Sequence, residues 1–128
     1  MHATTIETAT AVYTLGDDGI IRGVLRPHTK ETLATAHENT AAVAALAGGI
    51  KRAVLVDIRA SEGLTREARL YYSGDEMAKC ARATAMLIDS GLSRMFGNFF
   101  IGLNRELIPT RLFTDEEEAL AWLGGQRP

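Results

Sequence analysis

The chain has 128 residues, the length of one ordinary domain, which is enough to bury a core without disulfides or a structural metal. Hydrophobic residues make up 46% of the chain and charged residues 23%, values that are typical of a globular protein and exclude a disordered one. The formal net charge of −2 excludes a general electrostatic attraction to nucleic acid or to anionic lipid.

The single cysteine, Cys80, excludes an intramolecular disulfide and fits a reducing compartment. The opening segment lacks the basic start and apolar core of a signal peptide, and no apolar run approaches the roughly 20 residues of a membrane-spanning helix. We therefore expect a cytoplasmic protein with one domain over residues 1–128, no nucleic-acid partner and no membrane contact.

The N-terminal part of the chain predicts a β-hairpin followed by a helix. β-branched residues are concentrated in TIETATAVYTL (5–15) and in IIRGVL (20–25), and the glycines of the intervening GDDG can adopt the positive φ of a turn. The next segment predicts a helix with its N-cap at Thr29 and its end at the Gly48–Gly49 pair. Helical spacing places one set of small and apolar side chains on its inward face: Leu33, Ala36, Thr40, Val43, Ala44 and Ala47.

Three apolar runs in the rest of the chain predict buried strands. The runs lie at 52–58, 84–89 and 108–113, and continuous apolar character is typical of parallel strands that are covered on both faces. Pro109 lies inside the last run, and its missing N–H favours a position at the edge of the sheet.

Helices are predicted between these strands. Thr65 is expected to cap a short helix over REARLYY, and the Ser73–Gly74 pair separates it from a second short helix that starts at Asp75. The segment 90–107 predicts a longer helix with several phenylalanines, of which Phe96 and Phe99 are expected to face the core.

Four consecutive acidic residues, Asp115 to Glu118, raise the question of a metal or catalytic carboxylate site. Successive helical side chains diverge by about 100°, so four neighbours cannot converge on one ion. Thr114 and Glu117 have the spacing of a capping box, and acidic residues in a first turn are stabilised by the helix dipole. The acidic run is therefore predicted to be the start of a helix, with Thr114 as its N-cap.

The order of the predicted elements is β-β-α-β-α-β-α-β-α. An antiparallel hairpin followed by strand–helix alternation implies right-handed parallel crossovers. The predicted fold is a single α/β domain with a mixed five-stranded sheet, an N-terminal antiparallel hairpin, parallel βα units and helices packed on the sheet.

No arrangement of residues in the sequence indicates catalysis, a metal or a cofactor. His37 has no histidine or cysteine at i+3 or i+4, and Cys80 has no Cys-x-x-Cys pattern. A triad of Ser61, His37 and Asp57 has no supporting nucleophile elbow, and no glycine-rich phosphate loop links a strand to a helix. We expect a protein that is not an enzyme and that has no cofactor.

Polar residues follow the predicted parallel strands at the ends where ligands bind in sheets of this type. Helix N-termini at the same rim would offer free N–H donors to an anion. The sequence therefore predicts a site for a small anionic or amphipathic ligand, although caps and turns alone also explain these residues. Its predicted members are Asp57, Arg59, Ser61, Asp89, Ser90 and Thr114.

A second group of residues favours a protein partner. The helix after Thr65 combines Arg66 and Arg69 with Tyr72, and charged and aromatic side chains together are common at interfaces. A solvated surface also explains these charges. Phe100 is expected to point away from the core into a dimer contact, although packing in the core also explains the phenylalanines of this segment. The edge strand near Pro109 also favours a homodimer.

The element order, the strand–loop–helix VLVDIRASEGLTREAR and the closing RLFTDEEEALAWL resemble the STAS domains, which have the SpoIIAA-like fold of anti-sigma-factor antagonists. The likeness is greatest to uncharacterised bacterial STAS-like proteins. The resemblance implies a bacterial protein-binding module that is not catalytic. Antagonist members of the family are switched by phosphorylation of a serine in an Asp-Ser-Ser-Gly-type motif. The corresponding positions are Thr65, Arg66 and Glu67, so this chain lacks the motif and only Thr65 could accept phosphate.

Three functional hypotheses follow. The first is a STAS-like regulatory module that binds a protein through the loop 59–66 and the next helix. The second is a carrier or sensor of a small ligand at the carboxyl ends of the parallel strands. The third, a hydrolase using Ser61 or Cys80, depends on isolated residues only.

Overall fold

The structure is a computed structural model that describes residues 4–89 and 107–126. Within these residues the strands are β1 (Thr5–Glu7), β2 (Ala11–Leu15), β3 (Ile21–Leu25), β4 (Lys30–Glu31), β5 (Arg52–Asp57), β6 (Gly63–Leu64), β7 (Ala81–Leu87) and β8 (Thr110–Phe113). The helices are α1 (Leu33–Ala47), α2 (Arg66–Tyr72), α3 (Asp75–Ala78) and α4 (Glu116–Gly124). The predicted helix at 90–107 lies outside the described residues except for Leu107.

The central sheet has six strands in the order β1-β2-β3-β5-β7-β8. The pairs β1–β2 and β2–β3 are antiparallel, and β3, β5, β7 and β8 run parallel to one another. The predicted α/β class and the predicted direction of the three later strands are confirmed. β8 lies at an edge of this sheet, as Pro109 predicts.

The predicted count of five strands is too low because the first run, 5–15, divides into two. Thr8 starts a tight turn, in which its backbone N–H donates to the Ala11 carbonyl at 2.8 Å and its Oγ1 accepts from the Ala11 N–H at 3.0 Å. β1 consequently folds back onto β2 with Glu7 opposite Val12.

A second, two-stranded parallel sheet joins β4 to β6. The sequence predicts Lys30 and Glu31 inside a helix capped by Thr29, and this prediction is wrong. Helix α1 starts later because Lys30–Glu31 pairs with Gly63–Leu64, and Thr32 is the N-cap in a reciprocal capping box with Thr35. The predicted end is confirmed, since Gly48 adopts φ 68° in the left-handed region.

Strand β7 begins at Ala81 rather than at the predicted Thr84, and α3 ends at Ala78. Ala81, Ala83 and Ala85 are all buried, so the period of two that is typical of a strand starts before the apolar run does. The acidic run is confirmed as a helix start. Its cap is Asp115 rather than Thr114, because Asp115 Oδ1 accepts the Glu117 N–H at 2.8 Å.

The sheet carries helices on both faces and therefore has two layers of core. Helix α4 covers one face, where Ala119 and Leu123 pack against the alanines of β5 and β7. Helices α1, α2 and α3 and the β4–β6 pair cover the other face, where the larger cluster of buried side chains lies. This second face contains the cavity described next.

Candidate functional site

The predicted rim at the carboxyl ends of the parallel strands exists in the structure. Asp57 ends β5, Asp89 follows β7 and Thr114 follows β8. Arg59 binds Asp57 through both carboxylate oxygens, with Nε–Oδ1 at 3.0 Å and Nη2–Oδ2 at 2.7 Å. Burial raises the pKa of Asp57, but the hydrogen bonds and charge of Arg59 outweigh this effect and leave the pKa below its ordinary value.

The residues of this rim are poorly suited to binding an anion. The guanidinium of Arg59 already neutralises Asp57, and it also lies in the electrostatic field of Glu116 and Asp89. Thr114 and Asp89 are exposed, and Ser90 lies outside the described residues. Ser61 is separate from this group, because it is buried and lines a cavity on the face of the sheet covered by α1–α3.

This cavity, which we call the Glu31 cavity, has a volume of about 70 Å³ and lies between the sheet and the cover of α1–α3 and β4–β6. Its walls are mainly aliphatic and thioether side chains. Glu31 is the one charged side chain among the described residues that line it. The lining residues include Tyr13, Glu31, Val56, Tyr72, Met77 and Thr84.

Glu31 is only 3% exposed, and its two carboxylate oxygens have different surroundings. Oε1 accepts hydrogen bonds from Asn39 Nδ2 at 2.8 Å, from Thr35 Oγ1 at 3.1 Å and from the Tyr72 hydroxyl. Oε2 is buried and has no hydrogen-bond partner. Since buried polar atoms nearly always have a partner, Oε2 needs an explanation.

Asn39 holds the carboxylate in place from the middle of α1. It is fully buried, and its Oδ1 accepts from Thr8 Oγ1 at 2.5 Å while its Nδ2 donates to Thr10 Oγ1 at 3.0 Å as well as to Glu31. The hydrogen-bond network therefore joins the β1–β2 turn, β4, α1 and α2. Because its members come from four elements, the position of Glu31 Oε1 is fixed by the fold as a whole.

Two tyrosines share this environment. Burial raises the pKa of Tyr72 well above the ordinary 10.0, and Tyr13 and Glu31 add to the increase. Burial also raises the pKa of Tyr13, with a further contribution from the charge of Glu31. Both hydroxyls consequently keep their protons at neutral pH, and Tyr72 acts as a donor to Glu31.

The predicted partner-binding residues occupy different environments. Thr65 caps α2 as predicted, since its Oγ1 accepts the Ala68 N–H at 3.2 Å. Arg66 is exposed, Arg69 is half-buried, and Phe100 lies outside the described residues. Tyr72 differs from the prediction, because its hydroxyl points into the protein and bonds to Glu31 and Asn39 instead of facing a partner.

The sequence prediction missed Glu31 and Asn39. Asn39 lies on the buried face of α1 together with Ala36, Thr40 and Val43, whereas the predicted members Leu33 and Ala44 are exposed. The available signal in the sequence was the side-chain amide of Asn39, which falls at helical spacing among buried residues. A buried amide needs hydrogen-bond partners inside the protein. No comparable local signal marks Glu31, since its burial depends on the pairing of β4 with β6.

The residues considered for a catalytic triad do not meet. Ser61 Oγ accepts the Gly63 N–H at 3.2 Å, Asp57 binds Arg59, and the His37 ring stacks on Tyr71 with centroids 4.1 Å apart. His37 and Tyr71 line a second groove between α1 and the α2–α3 pair. Cys80 also borders this groove, and burial raises the pKa of its thiol, which lowers its reactivity.

Comparison with solved structures shows the fold. An uncharacterized protein of the DUF3478 family with a SpoIIAA-like fold, from Shewanella loihica PV-4, matches with a TM-score of 0.62 at 20% identity. The match covers 92% of this chain and 98% of that one. At this identity the likeness shows the fold alone, and it confirms the SpoIIAA-like architecture that the sequence resemblance implies.

A protein of unknown function from Arthrobacter sp. FB24 is 30% identical, and the match covers 92% of this chain and 95% of that chain with a TM-score of 0.35. No curated protein matches the chain. Among the described residues, no helix has both the length and the apolar character needed to cross a membrane. A family model, described as a domain of unknown function (DUF7793), matches residues 13–126. The chain therefore belongs to the DUF7793 family and has a SpoIIAA-like fold.

Proposed function

We propose that this chain is a non-catalytic carrier or sensor domain that holds a small amphipathic molecule in the Glu31 cavity. The observation that carries the proposal is the buried Glu31 Oε2, which has no hydrogen-bond partner and belongs to a side chain that lines a mainly apolar cavity. Small-molecule sites typically combine apolar walls with a few fixed polar groups. The network through Asn39 supplies that fixation.

The size of the cavity limits the ligand. A water-sized position needs about 10–15 Å³ in this measure, so 70 Å³ corresponds to roughly five to seven heavy atoms. The ligand is thus a short molecule, or a short apolar arm of a longer one. The proposed site therefore lies on the face of the sheet and not at the predicted rim. Among the predicted ligand residues that the structure describes, Ser61 alone lines it.

A cavity-filling variant tests the proposal. Thr84 lines the Glu31 cavity, and Thr84→Met would extend a side chain into it. Arg82→Met is the matched control, since Arg82 lies on the same strand and does not line the cavity. Short amines, alcohols and carboxylates of three to six carbons should be compared by the melting temperature of each protein.

A bound ligand at 100 times its Kd stabilises the folded state by about 2.7 kcal/mol, which is a shift of several degrees. We expect at least one probe class to raise the melting temperature of the wild type and of Arg82→Met but not of Thr84→Met. The proposal fails if no probe shifts the wild type, or if Thr84→Met keeps the shift.

A second candidate function is protein binding through α2. Leu70 is 45% exposed on this helix and lies one turn after the exposed Arg66, so an apolar and a cationic group share one surface. This surface supports the regulatory role that the family resemblance implies. Capture from a bacterial lysate by the wild type should be compared with the double variant Arg66→Glu/Leu70→Ser. Identical captured proteins would remove this candidate.

A homodimer is a further proposal, supported by the position of β8 at the edge of the sheet. An unpaired strand edge can pair with the same strand of a second copy. Sedimentation equilibrium at high concentration tests it, and a monomer under those conditions contradicts it.

A further inference from the structure

We infer that the molecule held in the Glu31 cavity carries a protonated amine, which pairs with Glu31 Oε2 while a short alkyl chain lies against the apolar walls. The inference rests on the proposed function and specifies the chemical class of its ligand. It replaces the anionic ligand that the rim residues suggest with a cationic one.

An amine is favoured first because the negative charge of Glu31 is not balanced within the cavity. The three donors to Glu31 Oε1 are an amide and two hydroxyls, all of which are neutral. Among the described residues Glu31 has no ion-pair partner, although the side chain is 3% exposed. A buried carboxylate without a compensating cation is strongly unfavourable, and an entering ammonium group would supply the missing positive charge.

Other occupants match these groups less well. A carboxylate or phosphate would bring a second negative charge next to Glu31. An alcohol could donate to Oε2 but would leave the charge uncompensated. The described residues contain no group of three or more metal-binding side chains, and a hard cation needs about six oxygen ligands.

Two of the lining hydroxyl groups already have hydrogen-bond partners within the protein. Ser61 Oγ accepts from the Gly63 N–H, and Thr110 Oγ1 donates to the Ile108 carbonyl at 3.0 Å. The apolar side chains that line the cavity include Val56 and Met77. A ligand in this cavity therefore has one polar end that is fixed by Oε2, and the rest of it contacts aliphatic and sulfur atoms.

The length of the alkyl chain follows from the volume. Roughly five to seven heavy atoms, one of them nitrogen, correspond to a chain of about four to six carbons. Each methylene that becomes buried should tighten binding about fourfold until the cavity is full. We expect affinity to rise from ethylamine to n-butylamine and to stop rising within the next few methylenes.

Three probes of equal chain length test the charge of the polar end on the wild-type protein. They are n-butylamine hydrochloride, 1-butanol and sodium butyrate, measured by isothermal titration calorimetry at pH 7 and constant ionic strength. We expect n-butylamine to bind at least tenfold more tightly than 1-butanol and butyrate to bind most weakly. Equal binding of the amine and the alcohol, or tighter binding of butyrate, would overturn the amine inference and leave the proposed function standing.

The variant Glu31→Gln tests whether the carboxylate of Glu31 binds the amine. It should weaken n-butylamine binding at least tenfold and change 1-butanol binding by less than threefold. The matched control is Glu62→Gln, because Glu62 is exposed, lies beside the lining residues Ser61 and Gly63, and does not line the cavity. We expect it to change amine binding by less than twofold.

The outcomes separate the two claims. If no probe binds and the cavity holds water alone, the proposed function fails together with the inference. If n-butylamine binds but Glu31→Gln leaves its affinity unchanged, the site is elsewhere and the inference is wrong. Should Glu31→Gln not fold, as judged by circular dichroism, the comparison of three probes on the wild type still decides the charge of the ligand.

Discussion

The ring of Tyr13 on β2 occupies the space that a side chain at Gly23 on β3 would need. The two residues are direct partners in the antiparallel register, and a Cβ built at Gly23 would lie 2.7 Å from Tyr13 Cδ1. The register is continuous through this pair, so Gly23 serves close packing and not a bulge. Since Tyr13 lines the Glu31 cavity, Gly23 helps to set its shape.

The first prediction concerns this contact. Gly23→Ala should lower the free energy of unfolding by about 1–3 kcal/mol, because the methyl group must displace the ring of a buried tyrosine. Urea denaturation at neutral pH measures the change. Gly124→Ala on α4 is the control, since an added Cβ there meets nothing within 4 Å. A loss of similar size at both positions would contradict the packing argument.

The second prediction concerns the centre of the network. Asn39→Ala removes the hydrogen bonds to Thr8, Thr10 and Glu31 and leaves their polar atoms buried. We expect a loss of about 2–4 kcal/mol in the free energy of unfolding. Glu38→Ala is the control on the neighbouring, exposed position, where one hydrogen bond to the Ala9 N–H is lost and less than about 1 kcal/mol is expected.

The third prediction concerns the hydroxyl of Tyr72. Tyr72→Phe keeps the ring and removes a donor to Glu31, so it should cost about 1–2 kcal/mol at pH 8. Tyr71→Phe is the matched control, because the ring of Tyr71 stacks on His37 and its hydroxyl is outside the network. Equal effects of the two substitutions would show that the Glu31 contact contributes nothing specific.

The raised pKa of Tyr72 also makes the stability of the folded state depend on pH. Its folded pKa lies above the unfolded value of 10.0, so the folded state holds more protons than the unfolded state once the pH exceeds 10. The stabilisation is therefore complete below pH 10 and is lost as the pH rises further. Between pH 9 and pH 11 the stability of the wild type should fall more steeply than that of Tyr72→Phe.

The fourth prediction concerns acid. The hydrogen bond from Arg22 is the main cause that lowers the pKa of Asp18 from 3.8 to about 2. A depressed pKa stabilises the folded state above pH 3.8, and the contribution is lost as the pH falls from 3.8 toward 2. Because the side chains of Arg22 and Asp18 are 33% and 47% exposed, solvent screens the pair and we expect less than about 1 kcal/mol.

Asp18→Asn should therefore lose less stability than the wild type when the pH is lowered from 5 to 3, as measured by urea midpoints. Asp17→Asn provides the comparison at the adjacent position, since Asp18 and not Asp17 binds Arg22. A parallel loss in the wild type and Asp18→Asn would rule out this ion pair as a source of acid sensitivity.

The pattern of neighbouring residues was sufficient to predict several of the strands and helices of the fold. The apolar run at 52–58 and the cap at Thr65 depend on neighbouring residues, and both are present in the structure. The start of α1 was placed wrongly because Thr29 and Thr32 are equally suitable caps. What decides between them is the pairing of Lys30–Glu31 with Gly63–Leu64, which is distant in sequence and only two residues long.

The proposed site lies away from the predicted rim for a related reason. The rim at Asp57, Asp89 and Thr114 follows from strand direction alone, and strand direction was predicted correctly. The Glu31 cavity instead depends on how α1, α2 and β4 pack over the sheet. Whether Glu31 is buried, and whether Oε2 has a partner, is determined by that tertiary packing and has no signature in the spacing of residues.

The single tryptophan and the three tyrosines lie on opposite faces of the sheet, so each face contains a different chromophore. Trp122, the single tryptophan, packs against Phe113 at 5.8 Å between ring centroids under α4. All three tyrosines lie on the opposite side: Tyr13 and Tyr72 belong to the core on that face, and Tyr71 lines the groove beside α1. Indole emission thus monitors the α4 layer, and tyrosine absorbance monitors the layer around the cavity. A change seen in one signal and not in the other would show that the sheet insulates its two faces from each other.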